Sequence, residues 1–176
     1  ASRIVVAASD GAWPKPFSRS AATGRSVAST IARAWASASS RVISPSRRPS
    51  AMAQAALEIA VAYAKDRKSF GKAIIEHQAV GFRLADLATR LEAARQLVLS
   101  AAAMKDSGQP ALTQASMAKL FASEAAEAVV SGAMQTLGGY GYLEEFGIAK
   151  IYRDVRVCQI YEGTSDIQRM VIARSL

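Results

Sequence analysis

The sequence has very few of the residues from which metal sites and disulfide frameworks are built. One cysteine, Cys158, and one histidine, His77, occur among its 176 residues. A lone cysteine cannot form a disulfide within the chain, and without a CxxC pair or a histidine cluster there is no zinc framework. The single thiol fits a reducing compartment. These absences exclude a disulfide scaffold and a zinc-stabilised fold.

Long apolar runs and the motifs of common hydrolases are also missing. No stretch of about eighteen uncharged apolar residues exists, so the sequence predicts no membrane span. No serine lies in a GxSxG motif, and no Gly-rich phosphate loop follows a strand pattern. A serine hydrolase and a nucleotide-hydrolysing enzyme are therefore not indicated.

The positive charge of the chain is concentrated in its first third. Residues 1–50 hold eight Lys or Arg and one acid, whereas residues 51–176 hold fourteen Lys or Arg and thirteen acids. The basic residues are scattered through an Ala/Ser-rich stretch instead of being grouped on a folded face. The sequence therefore predicts no nucleic-acid interface.

Residues 1–50 are predicted to be an irregular or disordered segment of low complexity. Large aliphatic residues show no sustained period there, and Pro14, Pro16, Pro45 and Pro49 are expected to interrupt any helix. Two interpretations stay open. The stretch is disordered or translated out of frame from a GC-rich gene, or it is an Arg- and Ser-rich organellar targeting segment.

Residues 51–176 predict an all-α protein, an up-and-down four-helix bundle with an additional short C-terminal helix. No segment alternates long enough to demand a strand. Helices are predicted over 51–67, over 79–106, from a Thr113 cap to Leu137, and over 144–153 and 165–174. The second helix carries an apolar seam at spacings of three and four residues: Leu84, Leu87, Leu91, Ala94, Val98 and Ala101. Met117 and Phe121 are expected to face inward from the third helix.

Two clusters that follow helices are open to a structural and a functional interpretation. Residues 66–72 read DRKSFGK. Arg67 and Lys68 either stabilise the C-terminus of the preceding helix by interacting with its dipole, or bind phosphate beside the ring of Phe70. His77 and Gln78 follow, and a lone histidine is commonly a structural residue. Residues 135–142 read QTLGGYGY, which is either a glycine-terminated helix or a backbone that a flat cofactor approaches closely.

The third cluster, residues 153–169, reads RDVRVCQIYEGTSDIQR. It places Glu162 between apolar residues and a glycine, just before a capped helix. A lone loop carboxylate is ordinarily solvated. Alternatively, Ile160 and Tyr161 desolvate this carboxylate, which would raise its pKa and strengthen it as a base.

The motifs DRKSFGK, QTLGGYGY and QIYEGTSDIQR, in this order and spacing, resemble the C-terminal domain of the acyl-CoA dehydrogenase family over residues 51–176. The resemblance implies a helical bundle in a subunit that also has an N-terminal helical domain and a middle β-domain. FAD would lie between the middle and C-terminal domains and be clasped by the neighbouring subunit. Further implications are an acyl-CoA substrate, electron-transfer flavoprotein as electron acceptor, and a homotetramer built as a dimer of dimers. The protein would serve fatty acid or branched-chain amino acid catabolism in the bacterial cytoplasm or the mitochondrial matrix.

The resemblance also assigns roles to single residues. Glu162 matches the base that removes the α-proton of the thioester as the β-hydride passes to flavin N5, which leaves a trans-2-enoyl-CoA. Gly163 matches a position near the thioester, and Thr164 and Asp166 match contacts to FAD within the same subunit. The positions that reach the FAD of the neighbouring subunit are matched by Arg67, Ser69, Phe70, His77, Gln78, Gln135, Gly138 and Gly139.

Two features depart from the family pattern. SPSRRPS stands where the family has an acidic residue and an arginine near the substrate, and Arg47 and Arg48 are out of register with them. The middle β-domain has no counterpart in residues 1–50, so we expect this chain alone to bind little or no FAD. Two alternatives remain: another flavin reaction, such as that of a nitroalkane or acyl-CoA oxidase, and a helical assembly module without catalysis.

Overall fold

A computed structural model describes residues 44–176, with side chains from residue 47 onward, and this part of the chain is almost entirely helical. Its long helices are α1 (Ser44–Asp66), α2 (Gln78–Asp106) and α3 (Leu112–Leu137). The first two are joined by the two-residue strands β1 (Lys68–Ser69) and β2 (Lys72–Ala73) and a 3-10 turn, Ile74–Glu76. Behind α3 follow α4 (Gly139–Tyr142), a 3-10 turn (Glu144–Phe146), α5 (Ile148–Arg156), a second 3-10 turn (Val157–Gln159) and α6 (Ser165–Ala173). The predicted all-α class is confirmed, and the minimal β1–β2 hairpin is an addition to it.

Helix α1 begins at Ser44, before the boundary that the sequence predicts at residue 51. The prediction that Pro45 and Pro49 interrupt a helix is wrong, because both lie within its first two turns. The fixed φ of proline suits a helix start, and a proline there removes few intrahelical hydrogen bonds. The ring of Pro49 is also fully buried, so it contributes to the core. The irregular segment is predicted for residues 1–50. Its last seven residues, 44–50, are helical instead, and residues 1–43 lie outside the described residues.

Helix α3 is the centre of the bundle and packs against α1, α2, α5 and α6. Its inward face is built mostly from alanine and valine, whose small side chains let neighbouring helices approach closely. Met117 and Phe121, expected inward, are 37% and 39% exposed. Thr113 does not cap α3, because the helix already begins at Leu112 and Ala111 is its N-cap residue without a side-chain hydrogen bond.

The apolar seam predicted on α2 is confirmed along its whole length. Leu84, Leu87 and Leu91 pack with α1, α3 and α5 in one core cluster. The following seam residues pack with the first half of α3 in a second cluster of small side chains: Ala94, Val98 and Ala101. The period of three and four residues therefore marks the buried face of α2 correctly.

The alternating directions of α1, α2 and α3 bring the end of α1, the start of α2 and the end of α3 to the same end of the bundle. The ring centroids of Tyr63 on α1 and Tyr140 on α4 lie 6.0 Å apart, in an edge-on arrangement. A Cβ at Gly132 on α3 would lie 2.8 Å from the methyl groups of Leu87 on α2. This end, which carries residues 66–78 and 135–142, is called the hairpin end below.

Candidate functional site

The β1–β2 hairpin presents an aromatic ring to solvent. Ser69 pairs with Lys72 across the hairpin, and the two turn residues Phe70 and Gly71 have φ values of 50° and 82°. Positive φ at both central positions suits a tight hairpin turn, but it strains a residue as bulky as phenylalanine. Phe70 is nevertheless 98% exposed, so packing within residues 44–176 does not account for its strained conformation.

His77 fastens the hairpin to the start of α2. Its Nε2 lies 3.1 Å from Ser69 Oγ and 3.2 Å from the Ser69 carbonyl oxygen, and its ring stands edge-on to Phe70 with 6.1 Å between centroids. His77 is also the backbone N-cap residue of α2, and the exposed Gln78 is the first residue of that helix. The single histidine therefore has a structural role, and it also orients the neighbouring candidate residues.

The glycine turn after α3 leaves its backbone open. Gly138 has a φ of 61° and ends the helix, with its N–H donating to the Gln135 carbonyl at 3.2 Å. A Cβ built on Gly138 or Gly139 would meet nothing within 4 Å, so the space in front of both is free. By contrast, a Cβ on Gly141 would lie 2.5 Å from the Met134 carbonyl oxygen, so that glycine serves packing.

These two clusters form one surface at the hairpin end, which we call the hairpin surface: Arg67, Ser69, Phe70, His77, Gln78, Gln135, Gly138 and Gly139. Tyr63 and Tyr140 pack together beneath it. Burial raises the pKa of the Tyr63 phenol, and the positive charge of the exposed Arg67 opposes that rise. An exposed ring, a guanidinium and open glycine backbone suit a ligand with a flat ring and phosphate groups.

The loop that carries Glu162 is strained and anchored. Glu162 has a φ of 55° and Gly163 a φ of 89°, so two consecutive residues are left-handed. The Gly163 carbonyl oxygen accepts hydrogen bonds from Lys119 Nζ at 2.6 Å and from Gln168 Nε2 at 3.1 Å. Thr164 caps α6, and its Oγ1 accepts from the Ile167 N–H at 3.4 Å.

Beneath this loop lies a partly buried polar cluster, formed by Lys119, Cys158 and Tyr161. Cys158 Sγ lies 3.3 Å from the Tyr161 hydroxyl, and burial raises the pKa of both groups, that of Tyr161 to about 12. Burial lowers the pKa of Lys119, against the opposing attraction of Cys158 and Glu162. The sequence interpretation missed Lys119. A charged residue between the inward positions Ala118 and Ala122 could have indicated it, because such a position is usually apolar.

Glu162 itself is exposed. Among the described residues, the interpretation in which Ile160 and Tyr161 desolvate Glu162 is wrong, because Glu162 is exposed and Ile160 is itself 56% exposed. Asp166, in the first turn of α6, is exposed as well and pairs with Arg169 at 3.2 Å. The geometry therefore supplies an exposed carboxylate on an anchored loop, and any desolvation must come from another molecule or domain.

The candidate residues fall on two separate surfaces. Lys119, which holds the Glu162 loop, and Leu137, which ends α3 at the hairpin surface, are eighteen residues apart on one helix. At a rise of 1.5 Å per residue, they lie about 27 Å apart. The structure thus brings the first two clusters together and places the third near the other end of α3.

Two further properties follow from residues 44–176. Within that range no three His, Cys, Asp or Glu side chains are grouped so that they could hold a metal ion. None of the helices described there combines the length and the apolar character that crossing a membrane requires.

Comparison with known proteins places this geometry in a family. The model of the acyl-CoA dehydrogenase C-terminal domain matches residues 46–176. The mitochondrial short-chain specific acyl-CoA dehydrogenase of Bos taurus is 52% identical over 125 residues, which cover 71% of this chain and 30% of that protein. The subunit CarC of the caffeyl-CoA reductase–Etf complex of Acetobacterium woodii is 50% identical over 125 residues, or 71% of this chain and 33% of that one.

Solved structures agree with the sequence comparison. The FAD complex of PigA superposes with a TM-score of 0.72 and 36% identity, covering 74% of this chain and 34% of that one. The chain thus spans about a third of the length of the relatives it matches.

Proposed function

Because the chain belongs to the acyl-CoA dehydrogenase family, a family of flavoprotein oxidoreductases, we propose that it forms the C-terminal domain of an FAD-dependent enzyme that oxidises an acyl-CoA thioester to a trans-2-enoyl-CoA. The observation that carries this proposal is the Glu162 loop. It combines a strained backbone, anchored at the Gly163 carbonyl by the buried Lys119, with one exposed carboxylate. A strained, over-determined residue of this kind is typical of a functional site.

Glu162 is the proposed base. The thioester carbonyl acidifies the C–H bonds on the adjacent α-carbon, so that a positioned carboxylate can remove one proton from it. The proton passes to Glu162 and the C–H electron pair becomes the new Cα–Cβ double bond as the β-hydride leaves. Gly163, beside the base, is proposed to lie near the thioester. Coverage of this open surface by the rest of the enzyme would exclude water and strengthen the base.

FAD, when bound, supplies the acceptor for the β-hydride. The residues described above fit such a cofactor. Thr164 and Asp166 are proposed to contact the FAD of their own subunit, beside Glu162. The hairpin surface offers its ring, guanidinium and open glycine backbone to a second FAD. Because the two surfaces lie about 27 Å apart along α3, we infer that the hairpin surface serves the FAD of a neighbouring subunit. The proposed assembly is a dimer of dimers.

A second candidate is the same reaction run in reverse. It is favoured by the similarity to the caffeyl-CoA reductase–Etf subunit. In that direction a protonated Glu162 would return a proton to the α-carbon of an unsaturated thioester, as microscopic reversibility requires. Electron-transfer flavoprotein is the proposed electron partner in either direction. The proposed setting is fatty acid or branched-chain amino acid catabolism, in the bacterial cytoplasm or the mitochondrial matrix.

The test is Glu162→Gln in the complete, FAD-loaded enzyme that carries this domain. We expect unchanged FAD content and a kcat lower by roughly 10³-fold, because amide and carboxylate differ little in size while only the carboxylate accepts a proton. Glu145→Gln, at another exposed carboxylate, is the matched control and should retain full turnover. Near-normal turnover of Glu162→Gln would refute the assignment. If the wild-type enzyme assembles correctly but is inactive, the result would favour the alternative in which this domain is a helical assembly module without catalysis.

A further inference from the structure

Lys119 is a buried cation that the chemistry described above does not use. It is 5% exposed, although it lies on the inward face of α3 among alanine residues. Placing an ammonium group in a protein interior is unfavourable unless the charge and its donors find partners. An apolar side chain of similar length would avoid that cost. Packing alone therefore does not explain a lysine at this position.

The ammonium group points at the backbone of the Glu162 loop. Lys119 Nζ donates to the Gly163 carbonyl oxygen at 2.6 Å, across 44 residues of sequence. Gln168 Nε2 donates to the same oxygen at 3.1 Å, so two donors converge on one carbonyl. A carbonyl held from two sides fixes the orientation of its peptide group, and with it the backbone of Glu162 and Gly163.

The left-handed backbone of Glu162 requires stabilising contacts from other residues. Glu162 is a non-glycine residue with a φ of 55°, a conformation that ordinary side chains adopt only when the surroundings impose it. Glu162 is exposed, so packing of its own side chain does not impose the conformation. The Lys119 ammonium also attracts the Glu162 carboxylate.

We propose that Lys119 is a positioning residue for the base. Its hydrogen bond to the Gly163 carbonyl keeps Glu162 left-handed and thereby presents the carboxylate to the α-carbon of the acyl-CoA. The inference rests on the proposed role of Glu162. It adds a residue whose effect passes through the backbone and which touches neither substrate nor cofactor.

The catalytic test compares Lys119→Met with Lys119→Arg in the complete, FAD-loaded enzyme, using acyl-CoA with and without deuterium on the α-carbon. In Lys119→Met we expect kcat to fall on the order of 10²-fold at unchanged FAD content, because a small displacement of a catalytic group is costly. The α-deuterium isotope effect on kcat should rise, since proton removal becomes more rate-limiting. Lys119→Arg keeps a charged donor and should recover most of the rate.

The isotope effect separates positioning from mere loss of structure. Loss of folded or FAD-loaded enzyme lowers the active fraction without changing the isotope effect of the remaining molecules. Lys150→Met removes an exposed lysine from α5 and should leave kcat and the isotope effect unchanged. If Lys119→Met does not fold, Gln168→Leu perturbs the same carbonyl from its half-buried side and should raise the isotope effect by a smaller amount.

The loop itself is observable in this chain without catalysis. In Lys119→Met, hydrogen–deuterium exchange of the amides of residues 160–165 should accelerate by about tenfold or more, while α2 stays protected. Normal exchange, kcat and isotope effect in Lys119→Met, with Glu162→Gln inactive, would overturn the positioning role and leave the base assignment standing. An active Glu162→Gln would instead refute the proposed function, and the positioning role with it.

Discussion

The rings of Tyr63 and Tyr140 meet edge-on, with 6.0 Å between their centroids, and join the two halves of the hairpin surface. Tyr63 lies in the last turn of α1, four residues before Arg67, whereas Tyr140 lies in the turn immediately after Gly138 and Gly139. Tyr140 also packs on Phe146, at 5.0 Å between centroids. Two clusters more than fifty residues apart in sequence are thus set at a defined separation by aromatic packing.

Removal of the Tyr140 ring should therefore destabilise the hairpin end. Tyr140→Ala loses its contacts with Tyr63 and Phe146, and we expect the free energy of unfolding to fall by about 2 kcal/mol. Tyr142→Ala, in the same helical turn, removes a ring that is 82% exposed and should change it by less than about 0.5 kcal/mol. Urea denaturation followed by circular dichroism measures both. Equal effects of the two substitutions would contradict the packing role of Tyr140.

The two glycines of that turn should differ in the same way. A Cβ on Gly141 would lie 2.5 Å from the Met134 carbonyl oxygen, which cannot move without the helix, so Gly141→Ala should cost about 2 kcal/mol of unfolding free energy. Gly139→Ala points a methyl group into open space, so it should leave stability unchanged or slightly raised. In the complete enzyme, Gly139→Ala should instead weaken FAD retention. A loss of stability in Gly139→Ala would show that its open backbone is needed by the fold.

Tyr161 should make stability fall in alkaline solution. Burial raises the pKa of its hydroxyl from 10.0 to about 12. Below pH 10 the phenol is protonated in both states, so its contribution to stability is fully present. Between pH 10 and 12 the unfolded state loses the proton more readily, so stability falls. The loss is at most about 2 kcal/mol, because solvent screens charge at this partly exposed side chain. Tyr161→Phe has no hydroxyl to ionise, so its loss of stability over the same interval, followed by thermal unfolding, should be smaller. Parallel curves for the two proteins would contradict the shift.

The isolated chain should carry little or no flavin. Its two candidate flavin surfaces lie about 27 Å apart, and the Glu162 surface is open to solvent, so neither encloses a cofactor. We expect purified residues 1–176, incubated with FAD and desalted, to show helical circular dichroism without a flavin absorbance band. The complete enzyme is the positive control. Stoichiometric FAD on the isolated chain would contradict this expectation.

Local patterns in the sequence were sufficient to predict most of the helical architecture. The seam of α2 from Leu84 to Ala101, the end of α3 at Leu137 and the start of α6 at Ser165 agree with the structure. Helix periodicity and glycine breaks arise from contacts a few residues apart, and a sequence window contains those contacts. The start of α1 was misplaced because tertiary packing outweighs the unfavourable propensity of Pro49.

The sequence by itself determined the helices, the family and the candidate functional residues, because each of these is encoded in short motifs. Only the tertiary structure decided which of those residues lie together. It set the glycine turn beside the hairpin, left Glu162 exposed where its neighbours were expected to cover it, and directed Lys119 to a carbonyl 44 residues away. The physical reason is that such pairs depend on how whole helices pack, and no local period in the sequence carries that information.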